Sequence, residues 1–412
     1  MLIKFRIANY LSFKDETEFS TICAPLKTNQ ENDATMFLYP ETNIKKWKDI
    51  KINKFSALFG ANASGKTNFI KAIKFFCEFV HNSSKQYTSN DALPFEPFLF
   101  DNHSRKSDSQ FEIVFRYKDA NHRYGFTFNK KRVTNEWLFI KKTTKESEVF
   151  IREENNEISF GSYYGSLKKY TNDEGKTREN ALFLSLLIQL GASGDIKDTY
   201  EYITNNIVFD SNLSFFTDSI LLDKQNEKEF FLELIRSVDF GIEELSLEST
   251  EDSNELYAYH KLFAPDNNFI GTEKIKFSKE SDGTKKFVNY LGVIVDVIIN
   301  NKVLIIDELE ENLHLFIIEE ILKLFRYEKS KAQLIFTTHN LSLMDKEIFR
   351  RDQIILVEKN EYGSTYFNEL SNYNVTSQDN FLMHYKRGKY GAVPYINEKL
   401  LDKLDAFING DD

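Results

Sequence analysis

Residues 60–67 read Gly60-Ala61-Asn62-Ala63-Ser64-Gly65-Lys66-Thr67. The apolar run 55–59 precedes them, and Phe69, Ala72, Ile73, Phe76 and Val80 follow at helical spacing. A G-x-x-x-x-G-K-[ST] turn between a strand and a helix is a strong constraint, because that context separates a phosphate loop from a chance turn. Backbone N–H groups of such a loop and of the helix start converge on an anion. Lys66 is placed to neutralise β- and γ-phosphates and the Thr67 hydroxyl to ligate Mg²⁺. Gly60, Asn62, Ala63, Ser64, Gly65, Lys66, Thr67 and Asn68 are therefore the candidate nucleotide contacts.

A second constellation completes the chemistry. The apolar strand 303–306 ends in Asp307-Glu308. Alone, two acids after a strand read equally well as a strand ending in solvent. Beside a phosphate loop, Asp307 becomes the candidate Mg²⁺ ligand and Glu308 the base that polarises water. The next apolar run, 334–338, leads into Thr337-Thr338-His339-Asn340, where His339 can meet a γ-phosphate as a neutral partner or a cation. Ser281-Asp282-Gly283-Thr284-Lys285 opens a helical stretch over 285–299, and a small-residue turn at a helix start favours anions. By itself this is a common helix start. Lys66 and Asp307 lie 241 residues apart, so one site is interrupted by large insertions.

The fold class expected is α/β. The runs 303–306, 334–338 and 354–357 suit a mostly parallel sheet buried on both faces. Residues 2–8 read as a first strand, and alternation over 111–151 predicts an antiparallel meander. The pattern turns helical over 178–240, as in 181–190 and 230–238, with short strands near 256–263. Since a minimal ATPase does not need 178–240, that region is expected to be an interaction surface.

The net charge of −10 weighs against a chain that coats nucleic acid non-specifically. A local exception is 101–150, with eleven Lys/Arg against seven Asp/Glu around Trp137, whereas 243–255 carries six acids and no base. The 38 Phe of the 412 residues read as compositional bias of the source. Cys23 and Cys77 offer neither a disulfide framework nor a CxxC metal site. The start of the chain lacks the pattern of a signal peptide. Asn289 and Asp296 interrupt the most apolar stretch, 287–299, which is too short for a bilayer. A soluble, cytoplasmic protein with no membrane partner is expected.

Together these residues resemble the ATP-binding cassette (ABC) clan, in its SMC/RecF/OLD-like branch. Asn62 matches the third position of that branch's Walker A motif. Glu280-Ser281-Asp282-Gly283-Thr284 is similar to its signature motif, which implies that Ser281, Gly283 and Thr284 contact ATP held by an opposite subunit. Glu310-Glu311-Asn312-Leu313-His314 sits at the D-loop position, and His339 is the switch histidine. Ile7-Ala8-Asn9-Tyr10-Leu11-Ser12-Phe13 resembles the first-strand segment that lies near the nucleotide, with Tyr10 in place of the usual Phe. The Q-loop glutamine is either Gln86 or Gln110. Arg351-Asp352-Gln353-Ile354 and the stretch 386–394 resemble closing segments of standalone bacterial antiphage ATPases of the AbiL and PARIS types.

The resemblance implies an ABC-type ATPase head in three parts. These are an N-terminal lobe with Walker A and the meander (1–165), a helical insertion (166–240), and a C-terminal lobe with signature, Walker B, D-loop and switch histidine (241–412). It also implies hydrolysis of ATP to ADP and phosphate with Mg²⁺, in a head-to-head homodimer or larger assembly. A separate effector, a nuclease or toxin, would be controlled in antiphage defence, since the acidic nuclease domain of many OLD-like relatives is not found here. A RecF-like DNA repair ATPase and a nucleotide-gated scaffold without turnover are the alternatives, and DNA binding stays open. The missing Gln after the signature glycine and the long interval between the Walker motifs argue strongly against a third reading, a transporter subunit.

Overall fold

The computed structural model describes residues 1–26, 37–38, 50–88, 91–171, 177–210, 217, 220–221, 225–237, 241–249, 254–311, 313–327, 329–374, 379–391, 404 and 407–408. β1 (Leu2–Ala8) pairs antiparallel with β2 (Thr17–Ser20). β3 (Phe55–Phe59), buried at all five positions, runs through the phosphate loop into the 21-residue helix α1 (Lys66–Gln86), which extends past the helical spacing that ends at Val80. The meander follows as β4 (Ser109–Tyr117), β5 (Ala120–Phe128), β6 (Val133–Lys141), β7 (Ser147–Arg152) and β8 (Ile158–Phe160). With β1 and β2 it forms one seven-stranded sheet in the order β8-β7-β6-β5-β4-β1-β2.

The helical segment holds α2 (Phe183–Gln189) and α3 (Asp195–Asn205), then a strand, β9 (Ile207–Phe209), and α4 (Gln225–Ser237). Parts of the region called helical, 211–216, 218–219, 222–224 and 238–240, lie outside the described residues. Next comes a three-stranded antiparallel sheet of β10 (Ile242–Ser249), β11 (Asn254–Phe263) and β12 (Phe269–Lys276). The chain continues through α5 (Asp282–Ile299), β13 (Val303–Ile306), α6 (Leu315–Phe325), β14 (Gln333–Thr338), β15 (Ile354–Lys359), β16 (Thr365–Glu369) and α7 (Phe381–Lys386).

The core sheet has the order β9-β13-β14-β3-β15-β16, parallel throughout except for the antiparallel edge strand β16. The mixed α/β architecture expected from the sequence is thus present, and the helical segment adds β9 to it. Because side chains alternate across a strand, each core strand serves two cores. Ile207, Leu58, Val303, Ile305, Ile335, Ile355 and Val357 face α1, α2, α3 and the meander. Val208, Ala57, Phe59, Leu304, Ile306, Leu334, Phe336, Ile354 and Leu356 face α4, α5 and α6. Apolar residues at every position are what a strand buried on both sides requires.

Helix α1 lies between the two sheets. Phe69, Ile70, Ala72, Ile73, Phe76, Cys77, Phe79 and Val80 are all buried. Phe76 stacks on Phe126 with centroids 5.4 Å apart, and Phe75 stacks on Phe79 and Phe128. Full burial of one such ring stabilises by about 1.5–3 kcal/mol. Part of the high Phe content thus packs where α1 meets the meander. Helices α2 and α3 pack on α1 as well. The Ser185 hydroxyl donates to Val80 O at 2.5 Å, and Ser83 Oγ donates to Ser185 Oγ at 3.1 Å. This part of 178–240 buttresses the phosphate-loop helix.

A buried ion pair fastens α2 to the meander. Glu136 and Arg152 have side chains 0% and 1% exposed, 3.7 Å apart. Glu136 accepts the N–H groups of Phe183 and Leu184, at the start of α2, and the Tyr124 hydroxyl. Arg152 donates to Ala181 O and Arg178 O. Burial pushes the Glu136 carboxyl up, opposed by Arg152, and pushes the Arg152 guanidinium down, opposed by Glu136. Several bases of 101–150 are also ion-paired: Arg123 with Glu112 and Glu146, Lys118 with Asp198, Lys142 with Asp195, and Arg132 with Glu154. No helix among the described residues is long and apolar enough to cross a membrane.

Removing one member of a buried pair leaves an uncompensated charge, which costs about 3–5 kcal/mol. Arg152→Ala should therefore lower unfolding stability by about that amount in a denaturant titration. A loss under about 1 kcal/mol, the range of exposed pairs, would show that the pair does not hold α2.

Candidate nucleotide site

The strand order builds the site. β14 lies between β3 and β13, and all three run parallel. Their C-terminal ends therefore deliver the phosphate loop, the histidine and the paired acids side by side, at the sheet edge where open α/β folds bind ligands.

The loop is shaped by close approach. A Cβ on Gly60 would lie 2.4 Å from Val357 O. Gly65 sits at φ +113°, and a Cβ there would lie 2.2 Å from Thr365 Oγ1. Gly65 is also the N-cap of α1, which has no capping side chain and no acid in its first turn. The first N–H groups of a helix lack intrahelical acceptors. Left uncapped, they and the helix dipole make an anion site.

Asn62, Ala63, Ser64, Gly65, Lys66, Thr67 and Asn68 line an open cleft of about 650 Å³ together with Glu308, His339 and Lys359. Lys66 Nζ donates to Gly60 O at 2.8 Å and Ala61 O at 3.1 Å. Burial lowers its pKa, while Glu308, Asp307 and Glu310 oppose the shift. His339 bridges the two motifs. Its Nδ1 is 3.4 Å from Lys66 Nζ, and its Nε2 is 3.3 Å from Glu308 Oε1.

The acids are held by the neighbouring strand. Thr337 Oγ1 accepts the Glu308 N–H at 2.8 Å and donates to Asp307 Oδ1 at 2.5 Å. Glu308 has φ +52°, a left-handed conformation rare for a residue other than glycine. Such backbone persists only when its surroundings hold it, and the Thr337 contact supplies part of that restraint. Thr67 and Asp307 both present oxygen, the donor type Mg²⁺ takes. Among the described residues no cluster of three His, Cys, Asp or Glu forms a preformed metal cage. A pair of protein ligands supplemented by phosphate oxygens suits Mg²⁺, so the donor chemistry of these residues fits the ion, with Asp307 set just behind the lining of the cleft.

The other candidates fall outside this cleft. Ser281 caps α5, its Oγ accepting the Thr284 N–H at 3.1 Å, and it is exposed. None of Ser281, Gly283 and Thr284 lines the cleft of its own chain. Gln86 ends α1, about 30 Å along the axis from its start at 1.5 Å per residue. The side chain of Gln110 turns to Glu16 at 3.4 Å, and neither glutamine lines the cleft. Of the D-loop candidates Asn312 lies outside the described residues, as do 392–394 of the closing segment.

Further contributors come from outside these motifs, and of them only Ser12 lies in a segment to which the sequence points. Ser12, from the first-strand segment, accepts from Asn68 Nδ2 at 2.8 Å. Thr365 Oγ1 lies 2.8 Å from both Ser12 Oγ and Ser64 O. Lys359 lines the cleft from the end of β15. Asp210 follows β9 directly, where Phe209 pairs with Ile305, so it lies one strand from Asp307. Burial raises its pKa, opposed by a hydrogen bond from the Asp307 backbone and helped by the Asp307 charge.

Residues 55–345 match the family model described as "AAA domain, putative AbiEii toxin, Type IV TA system". The chain belongs to this family. The matched span of this AAA/AbiEii-type chain begins at the first residue of β3 and includes the phosphate loop, both acids and His339, whereas Ser12, Lys359 and Thr365 lie beyond it. Its P-loop thus lies within an AAA domain. No curated protein matches the chain.

Among solved structures it is similar to the SMC head domain from Thermotoga maritima, at 14% identity and TM-score 0.43, over 89% of this chain and 98% of that one. It is also similar to an Smc head bound to the C-terminal winged-helix domain of ScpA, at 15% identity and TM-score 0.47, over 90% and 99%. A third is an Smc head with an extended coiled coil, bound to the C-terminal domain of ScpA from Pyrococcus furiosus, at 14% identity and TM-score 0.43, over 90% and 97%.

In this AAA/AbiEii-type loop a methyl at Gly65 meets both a disfavoured φ and the Thr365 hydroxyl. Gly65→Ala should weaken binding of a fluorescent ATP analogue by about 10²-fold or more, the scale of roughly 3 kcal/mol of combined strain and clash. Binding within about twofold of wild type would show that the loop does not hold phosphate in this conformation.

Proposed function

We propose that this chain hydrolyses ATP with Mg²⁺ as a nucleotide-gated homodimer, and that the dimer controls a separate effector in antiphage defence. The observation that carries the hydrolysis reading is the meeting of Lys66, His339 and Glu308 in one cleft, at an uncapped helix N-terminus. The α1 N–H groups and Lys66 bind and orient the phosphates. Thr67 and Asp307 would hold Mg²⁺, which when bound neutralises phosphate charge. Glu308 accepts the proton of the attacking water, and His339, linked to both Glu308 and Lys66, donates toward the γ-phosphate.

Glu308→Gln should keep ATP affinity within about threefold and lower kcat by about 10²–10⁴-fold, the usual worth of general base catalysis. Wild-type turnover by this variant would place the base elsewhere. Lys66→Ala should abolish binding itself.

The dimer reading is supported by the placement of Ser281, Gly283 and Thr284 away from their own cleft, with Ser281 exposed at the start of α5, Gly283 half-buried and Thr284 buried behind them, so that the α5 N-terminus could face ATP on a second copy. In size-exclusion chromatography, Glu308→Gln with ATP should shift to a larger species, and adding Gly283→Arg should abolish the shift. Enlargement by the double variant would assign assembly to another surface. The defence role is supported by the resemblance of the closing segments and by the toxin–antitoxin wording of the family description. The ion-paired bases of the meander favour this reading over a DNA-binding one, because a paired cation releases fewer counterions on meeting phosphate.

A further inference from the structure

We infer that Glu310 is a positioning residue for turnover: its carboxylate fixes the turn that carries His339 and so holds the imidazole between Lys66 and Glu308. The inference rests on the hydrolysis reading above.

Glu310 Oε1 accepts two successive backbone N–H groups just past the end of β14, that of His339 and that of Asn340, the latter at 3.1 Å. Asn340 N–H also meets Thr338 Oγ1 at 3.0 Å. A carboxylate bound to backbone N–H forms a charge-assisted bond, roughly twice as strong as a neutral one. The arm that presents this carboxylate is itself fixed. Leu309 is fully buried, and its N–H donates to Thr337 O at 3.2 Å. Glu311 N–H donates to Glu308 O at 2.9 Å, and the Glu311 carboxylate pairs with Lys286 of α5 at 2.6 Å. Glu310 does not line the cleft, so it acts through His339.

The imidazole contacts are at the long limit of useful geometry, 3.4 Å to Lys66 and 3.3 Å to Glu308. A hydrogen bond at this separation is lost with a displacement well under 1 Å. Small misplacements of a reacting group can cost about 10²-fold in rate. A shared acceptor on two consecutive N–H groups is therefore an effective restraint on a single side chain.

Three variants separate positioning from charge and from folding. Glu310→Gln keeps an acceptor oxygen at the same reach. Glu310→Asp keeps the charge but withdraws it by one methylene, and Glu310→Ala removes both. Ala and Asp should lower kcat by about 10–10²-fold with the Kd for ATP within about twofold, and Gln should recover most of the rate. In nucleotide-free protein, the His339 ring resonance, assigned by comparison with His339→Gln, should move in Ala and Asp and stay in Gln. Wild-type kcat in Ala, an unmoved His339 signal in Ala, or Gln as impaired as Ala would each overturn the inference. If Ala does not fold, Asp and Gln decide it, and equal rates in those two would overturn it. Failure of the wild-type protein to hydrolyse ATP would instead remove the hydrolysis reading, while the resonance comparison would still judge the placement of His339.

Discussion

An uncapped helix N-terminus is the constraint on which the rest of the structure depends. A missing cap typically costs a helix about 1 kcal/mol, and α1 forgoes both a capping side chain and first-turn acids. The helix tolerates this because its stability comes from burial. Its apolar residues are enclosed by the core sheet, the meander and helices α2 and α3. The seven-stranded sheet, by burying the flank of α1, thereby allows one end of the helix to remain open to anions. The contacts of Thr365 and Ser12 with Ser64 and Asn68 then set the loop's conformation from outside the helix.

What was legible in the sequence is what depends on neighbours along the chain. The phosphate loop, the strand ending in Asp307-Glu308 and the strand leading to His339 are local patterns, and the sheet order joins them. The contacts that refine the site span hundreds of residues: Thr365 meets Ser12 across 353 positions and Ser64 across 301. No periodicity reports such a meeting. β9 is three residues long, too short to show a pattern between helices. Strand β12 escaped notice because no position along it is fully buried, so it lacks apolar alternation. The buried Glu136–Arg152 pair was hidden because isolated charges in alternating strands read as the solvent face.

Electrostatic neutralisation recurs across the surface. The meander's bases are matched by acids from other elements, such as Asp195 and Asp198 of α3. The three-stranded sheet repeats the device, with Lys261–Glu243, Lys274–Glu248 and Lys276–Glu255 pairs. Exposed pairs contribute little stability individually. Their larger effect is on the field: a local excess of positive residues in the sequence need not become a positive surface.

The alternation of the core strands makes odd and even positions answer to different masters. Ile305 belongs to the layer that supports the phosphate loop, while Leu304, one residue earlier, belongs to the layer beneath α5 and α6. Close-packed side chains pass strain to the neighbours they touch. Each half of the molecule can therefore be resculpted by substitutions of one parity. Substitutions in the α5–α6 half away from the start of α5, as near the exposed Phe316, could reshape that half while the packing around α1 stays in place.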